Sequence, residues 1–188
     1  MWNKLSEGGS CITVNVSIDG SHKRGEYIRH GLSWDKFIEN KKIFDEKCTD
    51  INFDITTVWG NTNSLHITDF FKEMLELKIV DTPNRLAFND VGGVEFLSII
   101  TLSIEYKRKV ENNISKLKEW VESNFNSDDY FEFFERLDNF IIYMNDRDGS
   151  SQLPLYFENM KKLDKVRNQN LLNVFPELTD LYINQIVL

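Results

Sequence analysis

The sequence predicts an α/β protein: parallel strands forming half of a partial (β/α) barrel, followed by a helical C-terminal extension. Residues 11–18 and 51–58 alternate apolar and polar side chains, as strands do, and helical periodicity follows each of them. The segment between the two strands is long enough for a crossover, which favours parallel pairing over a hairpin. From Ser103 onward, apolar residues recur at helical spacing.

The first strand–helix unit occupies residues 11–47. In the strand, apolar and polar residues point to opposite faces. Ser33 predicts the start of a helix that runs through about Lys47, because serine is a preferred N-cap residue. Residues 19–31 between strand and helix predict a polar loop that carries Arg29. The apolar face of the strand consists of Ile12, Val14, Val16 and Ile18, and the polar face of Thr13, Asn15 and Ser17.

The second unit repeats this pattern, with strand 51–58 followed by a helix after Thr68. Residues 85–91 predict a third strand, and residues 94–102 a fourth after a Gly92-Gly93 turn. Beyond them, helices are predicted over 110–121, from 127 onward and over 155–167. We therefore expect strand–helix units in 1–102 and a helical extension in 103–188, whose apolar tail packs back on the protein.

Composition argues against several function classes. The 188 residues include 22 basic and 30 acidic side chains, a net charge of −8, and no basic cluster long enough to follow a nucleic-acid backbone. No run of about eighteen apolar residues predicts a membrane span, and the first fifteen residues do not resemble a signal peptide. The expected protein binds neither nucleic acid nor membranes and is cytoplasmic.

Metal-ligand spacing is missing as well. Cys11 and Cys48 are too far apart in sequence for a zinc or iron–sulfur motif. The histidines at positions 22, 30 and 66 have no ligand spacing relative to one another. We predict no metal site formed by these residues alone.

The polar faces of the first two strands suggest a ligand site. A strand covered by helices on both sides should be apolar on both faces, and these strands are not. The polar face is expected to line the lumen of an open barrel, and a solvated face of an edge strand is the alternative. Ligands bind at the carboxyl ends of parallel strands, where Arg29 suits a carboxylate or phosphate. A surface arginine without a ligand is the other interpretation.

Two long segments carry a family resemblance. The stretches "VNVSIDGSHKRGEYIRHGLSWDKFIENKKIF" and "FDITTVWGNTNSLHITDFFKEMLEL" resemble the fourth and fifth strand–helix units of the radical S-adenosylmethionine enzymes, in the branch with a SPASM or twitch C-terminal extension. "PNRLAF", "TLSIEYK" and "LDKVRNQNLLNVFPEL" follow in the order typical of that branch. The resemblance implies a twitch-like extension and S-adenosylmethionine as cofactor.

The resemblance also implies which residues approach the cofactor and substrate, and it assigns no catalytic residue. The family's C-x-x-x-C-x-x-C loop and its first three strands do not occur in these 188 residues. An iron–sulfur cluster would therefore come from a partner chain, and the protein alone is expected to be inactive. The implied cofactor-binding residues are Ser17, Asp19, Arg29, Thr57, Asn61 and Asn63.

Three function classes follow. The first is a C-terminal fragment or subunit of a radical S-adenosylmethionine-like enzyme. The second is a non-catalytic binding or regulatory module that acts through a sheet edge or a residual pocket. The third is a transferase that holds an anionic substrate with the Arg29 loop. Because strand 11–18 has neither proline nor charge to protect its edge, we also predict pairing with a protein partner, self-association, or cover by the tail at 171–188.

Overall fold

The computed structural model describes residues 11–186, with side chains to residue 184. Three parallel strands form one sheet in the order β1-β2-β3, with β2 in the centre: β1 (Thr13–Ser17), β2 (Asn52–Trp59) and β3 (Leu86–Asp90). Asn15 is opposite Asp54, and Thr57 is opposite Phe88. The predicted α/β class with a parallel sheet is confirmed, and the sheet is compatible with a partial barrel.

Helices make up most of the remaining chain. Ser33 caps α2 as predicted, because its hydroxyl accepts the backbone N–H of Lys36. The predicted helical second half is also confirmed, because every strand of the described chain lies before residue 91. The helices are α1 (His22–Ile28), α2 (Trp34–Lys47), α3 (Ile67–Glu76), α4 (Ile104–Asn124), α5 (Ser127–Asn145), α6 (Leu153–Arg167), α7 (Leu171–Val174) and α8 (Thr179–Ile186).

Two segments differ from the sequence prediction. The predicted strand at 94–102 is wrong: it consists of two 3-10 turns, Glu95–Leu97 and Ile99–Thr101. The Ser98 hydroxyl accepts the backbone N–H of Ile100 and so caps the second turn, in which Ile99 and Ile100 are buried. The segment 19–31, predicted as a loop, contains the helix α1. Gly25 of α1 lies so close to the Gly20 carbonyl that a Cβ at this position would collide with it.

The hydrophobic core lies on one face of the sheet. Trp59 of β2 stacks on Phe140 of α5 with ring centroids 4.5 Å apart. Phe88 of β3 contacts Phe71 of α3 and Phe133 of α5, so strands and helices share one aromatic cluster. Because this core includes residues on both sides of position 102, the two predicted parts pack together, and their boundary stays a prediction.

The opposite face of the sheet, called the polar face below, is uncovered. None of its side chains is buried, so no element within residues 11–186 packs closely over it. Arg85, at the start of β3, pairs with Asp54 on this face at 2.9 Å. Parallel sheets normally have both faces covered. The polar face consists of Thr13, Asn15, Ser17, Asn52, Asp54, Thr56, Val58, Ala87 and Asn89.

The C-terminal segment packs on α1 and α6. Tyr27 donates its hydroxyl to Asp164 at 2.7 Å, and Arg167 donates to the Tyr27 carbonyl at 3.1 Å. The backbone N–H of Leu171 also donates to Asp164, which fixes the start of α7. Residues 171–186 make no backbone hydrogen bond to β1. Among residues 11–186, no helix has the length and apolar character that crossing a membrane requires.

Candidate functional site

A cavity of about 350 Å³ lies at the carboxyl end of the sheet. Its volume is in the range of small-molecule sites, and its position is where parallel α/β proteins bind ligands. Val58 belongs both to the cavity wall and to the polar face, so the two are continuous. The cavity is lined by Asp19, Ile28, Arg29, Val58, Gly60, Asn61, Thr62, Asn63, Val91 and Leu97.

Asp19 and Arg29 form a charged pair in the wall of this cavity. The Asp19 carboxylate is 4% exposed and accepts the backbone N–H of Val58 at 2.7 Å and Arg29 Nη2 at 3.2 Å. Arg29 Nε lies 2.7 Å from the second carboxylate oxygen, close enough for an ion pair but not aligned for a hydrogen bond. A buried carboxylate needs such partners. The Arg29 side chain is 35% exposed and can still meet an anion.

Thr57 and Asn63 hold the loops of this end together. Thr57 donates its hydroxyl to the Ile18 carbonyl at 2.8 Å. The Asn63 amide donates to the carbonyls of Asp19 and Val58, and its oxygen accepts the N–H of Gly60. Both side chains therefore use their hydrogen-bonding groups within the protein, which leaves little for a ligand.

Asn61 is different, because part of its amide is unused. Its side-chain nitrogen donates to the Phe96 carbonyl at 2.9 Å and to Thr101 Oγ1 at 2.7 Å. Its oxygen is buried and has no partner among residues 11–186. A buried acceptor without a donor costs about 1–3 kcal/mol, so a donor that reached this atom would stabilise it.

The six residues implied by the resemblance fall into two groups. Asp19, Arg29, Asn61 and Asn63 line the one cavity. Ser17 is exposed on the polar face, and buried Thr57 points to the opposite, helix-covered face. The sequence could have shown that Thr57 is not on the polar face. Neighbouring residues of a strand face opposite sides, so Thr57 cannot share a face with Thr56. That these residues bind a cofactor stays a prediction.

Sequence reasoning missed a second polar group beside the cavity. Asp90 follows β3 and accepts hydrogen bonds from Ser98 Oγ at 2.9 Å and Tyr143 OH at 2.6 Å. Burial, and then the bond to Asp90, raise the pKa of Tyr143. This group connects α5 to the end of β3 next to the cavity residues Val91 and Leu97. No sequence motif joins positions so far apart.

A larger cavity of about 500 Å³ lies at the opposite, amino-terminal end of the strands. Several charged groups in its wall are paired with each other: Lys41 with Asp45 at 2.6 Å, and Arg85 with Asp81 at 2.6 Å. Lys41 also lies over the ring of Phe53, 4.8 Å from its centroid. These contacts stabilise the amino-terminal end of the sheet. Parallel α/β proteins bind ligands at the carboxyl end instead, so this cavity is not the candidate site.

The described residues do not fit an iron–sulfur cluster. Residues 11–186 contain no group of three or more histidine, cysteine or acidic side chains that could hold a metal ion. The sequence has two cysteines, of which Cys11 is exposed and Cys48 half-buried, and a cluster needs three or four ligands.

Comparisons with protein-family models, with curated proteins and with solved structures found no match to this chain.

Proposed function

We propose that this chain forms the C-terminal half of a radical S-adenosylmethionine-like barrel and contributes part of the pocket for S-adenosylmethionine and its substrate. Polypeptide outside these residues holds the iron–sulfur cluster. The observation that carries the proposal is a cavity at the carboxyl end of a parallel sheet that is continuous with an uncovered polar face.

The side chains of the polar face support the proposal that this face lines the interior of a barrel. A helix layer needs apolar side chains beneath it, whereas this face consists mainly of serine, threonine and asparagine. Its one charged side chain, Asp54, is paired with Arg85. Such a face suits water and a polar ligand, as in barrels that enclose a ligand.

The cavity suits a ligand with a carboxylate, hydroxyl groups and a flat apolar ring. The half-exposed Arg29 guanidinium can bind the carboxylate, and the unpaired Asn61 oxygen is the acceptor for a hydrogen bond from a ligand hydroxyl or amine. Ile28, Val58 and Leu97 add apolar surface. S-adenosylmethionine combines all these groups. When bound beside a reduced cluster, it supplies the radical chemistry, and this chain supplies binding and orientation.

A binding experiment tests the proposal. We expect S-adenosylmethionine to bind the isolated chain in isothermal titration and Arg29→Gln to weaken binding at least about tenfold, because a charge-assisted hydrogen bond contributes about 1.5–3 kcal/mol. Arg108→Gln changes an exposed arginine that does not line the cavity and is the matched control. Undetectable binding, or binding that is equal in both variants, would contradict the proposal.

A non-catalytic binding module is the second candidate. The observation that favours it is that Asp19, Thr57 and Asn63 form hydrogen bonds within the protein. These bonds hold the loops in place and leave few groups for chemistry. It predicts that no preparation of this chain with an added cluster-binding partner cleaves S-adenosylmethionine reductively, even where the titration detects binding.

A further inference from the structure

Lys107 is a buried lysine whose charge is not paired. It lies near the start of α4 and is 4% exposed. Its ammonium group donates to the Arg147 carbonyl at 2.8 Å, and within residues 11–186 it forms no ion pair with an acidic side chain. Burial lowers the pKa of Lys107, and the charge of Asp148 offsets this only in part. Lysine is rarely fully buried without a paired charge, so this group is suited to bind an anion.

A small cavity gives access to this ammonium group. Its volume is about 190 Å³, which is below the range of about 300–1,000 Å³ typical of sites for drug-sized ligands. The cavity therefore admits a small molecule. It is lined by Leu102, Ile104, Lys107, Asn145, Arg147 and Asp148.

An opposite charge lines the same cavity. Asp148 follows α5, is exposed, and accepts the backbone N–H of Ser150 at 2.9 Å. The bond to this N–H lowers the pKa of Asp148, so the carboxylate is charged at neutral pH. Lys107 and Asp148 act on each other's charge without forming an ion pair. A cation and an anion that line one cavity without meeting suit a ligand that carries both signs of charge.

The loop that carries Asp148 is held in place by the backbone. The N–H of Gly149 donates to the Ile100 carbonyl at 3.2 Å, and the Arg147 carbonyl accepts Lys107. A Cβ at Gly149 would lie 3.3 Å from the Ile100 oxygen, so the loop packs closely on the segment before α4. A wall that is already ordered lowers the entropy cost of binding.

The rest of the wall supplies apolar surface. Leu102 is buried and Ile104 is 63% exposed, and both side chains are aliphatic. The Arg147 guanidinium also lines the cavity, but it is exposed and pairs with Glu95 at 3.0 Å. Lys107 is therefore the cation that lacks a partner.

We propose that this cavity binds a small α-amino acid with an aliphatic side chain. Its carboxylate binds Lys107, its ammonium group binds Asp148, and its side chain contacts Leu102 and Ile104. The cavity shares no residue with the one at the carboxyl end of the sheet, so this site is independent of the proposed function.

Titration of the isotopically labelled chain with L-leucine, followed by amide chemical shifts, tests the site. We expect saturable shifts in residues 102–107 and 145–149. Isocaproate lacks the ammonium group of leucine, and isoamylamine lacks its carboxylate. Each should bind at least about tenfold more weakly than L-leucine, because each loses a charge-assisted hydrogen bond.

Two variants assign the binding to the two charges. Lys107→Met and Asp148→Asn should each weaken L-leucine binding at least about tenfold. Asparagine at the exposed position 148 can still accept the Ser150 N–H, so this variant tests the site even where Lys107→Met does not fold. Lys42→Met and Asp146→Asn change exposed side chains outside the cavity and are the matched controls.

The other outcomes contradict the proposal. Unchanged spectra at millimolar L-leucine would leave Lys107 as a structural group that holds the Arg147 carbonyl. Isocaproate that binds as tightly as L-leucine would indicate a site for a simple anion. Equal binding by the Asp148→Asn variant and its control would place the ligand elsewhere. None of these results affects the titration with S-adenosylmethionine, which depends on Arg29.

Discussion

Arg29 and Asp19 form an ion pair in which the carboxylate is buried and the arginine half-exposed, with Arg29 Nε 2.7 Å from an Asp19 carboxylate oxygen. Because the same carboxylate accepts the N–H of Val58, the pair connects the loop after β1 to the end of β2. The guanidinium is thus held in place at the cavity before any ligand arrives.

Asp19→Asn should lower the free energy of unfolding by about 2 kcal/mol, because it removes the charge that the guanidinium and the Val58 N–H share. Urea unfolding measures the change. Glu119→Gln, on the exposed side of α4, is the control and should have little effect. Equal stability of the two variants would mean that the pair does not hold the loop.

Gly25→Ala should destabilise the fold by about 2–3 kcal/mol, because the new Cβ meets the Gly20 backbone, which cannot rotate away. Gly92→Ala adds the same methyl group where no atom lies within 4 Å. Thermal unfolding compares the two variants. If Gly25→Ala melts at the wild-type temperature, Gly25 does not lie as close to the Gly20 carbonyl as in the structure.

Tyr27→Phe should cost about 1.5–3 kcal/mol, because it removes a hydrogen bond to the Asp164 carboxylate that also holds the start of α7. Tyr130→Phe is the control, since Tyr130 packs against Phe134 through its ring. Denaturant unfolding with tryptophan fluorescence measures both. A Tyr27→Phe protein as stable as the control would argue against this anchor of the C-terminal segment.

His66 should make the protein sensitive to mild acid. Burial, and then the charges of Arg24 and His22, lower the pKa of His66 to about 3. Below pH 6.5 the unfolded chain binds a proton at this histidine and the folded chain does not, so stability falls as the pH drops toward 3. The slope from this group is about 1.4 kcal/mol per pH unit.

The His66→Gln variant should lose this part of the pH dependence between pH 6 and 4. His30→Gln, which changes an exposed histidine, should keep it. Urea unfolding at several pH values measures the slope. A slope unchanged in His66→Gln would show that His66 is protonated as readily in the folded protein as in the unfolded chain.

Local periodicity was enough to predict the sheet but not the details of the site. Alternation in 11–18 and 51–58 predicted both strands and the polar face, because side-chain direction in a strand follows from sequence position alone. It could not predict the turns at 95–101, where Ser98 and Asp90 replace strand pairing with side-chain hydrogen bonds. Nor could it show how the Asn61 amide is used, since its nitrogen is bound by Phe96 and Thr101, which lie 35 and 40 residues away.

The most direct test of the proposed pocket is a map of amide chemical shifts during titration of the isotopically labelled chain with S-adenosylmethionine, with adenosine as a comparison. We predict shifts confined to the cavity residues, which lie in 18–20, 28–30 and 58–63 and at Val91 and Leu97. The shifts should be larger for S-adenosylmethionine than for adenosine, because only the former carries the carboxylate for Arg29. Unchanged spectra at millimolar ligand, or shifts confined to other parts of the chain, would contradict the proposal that this cavity binds the cofactor.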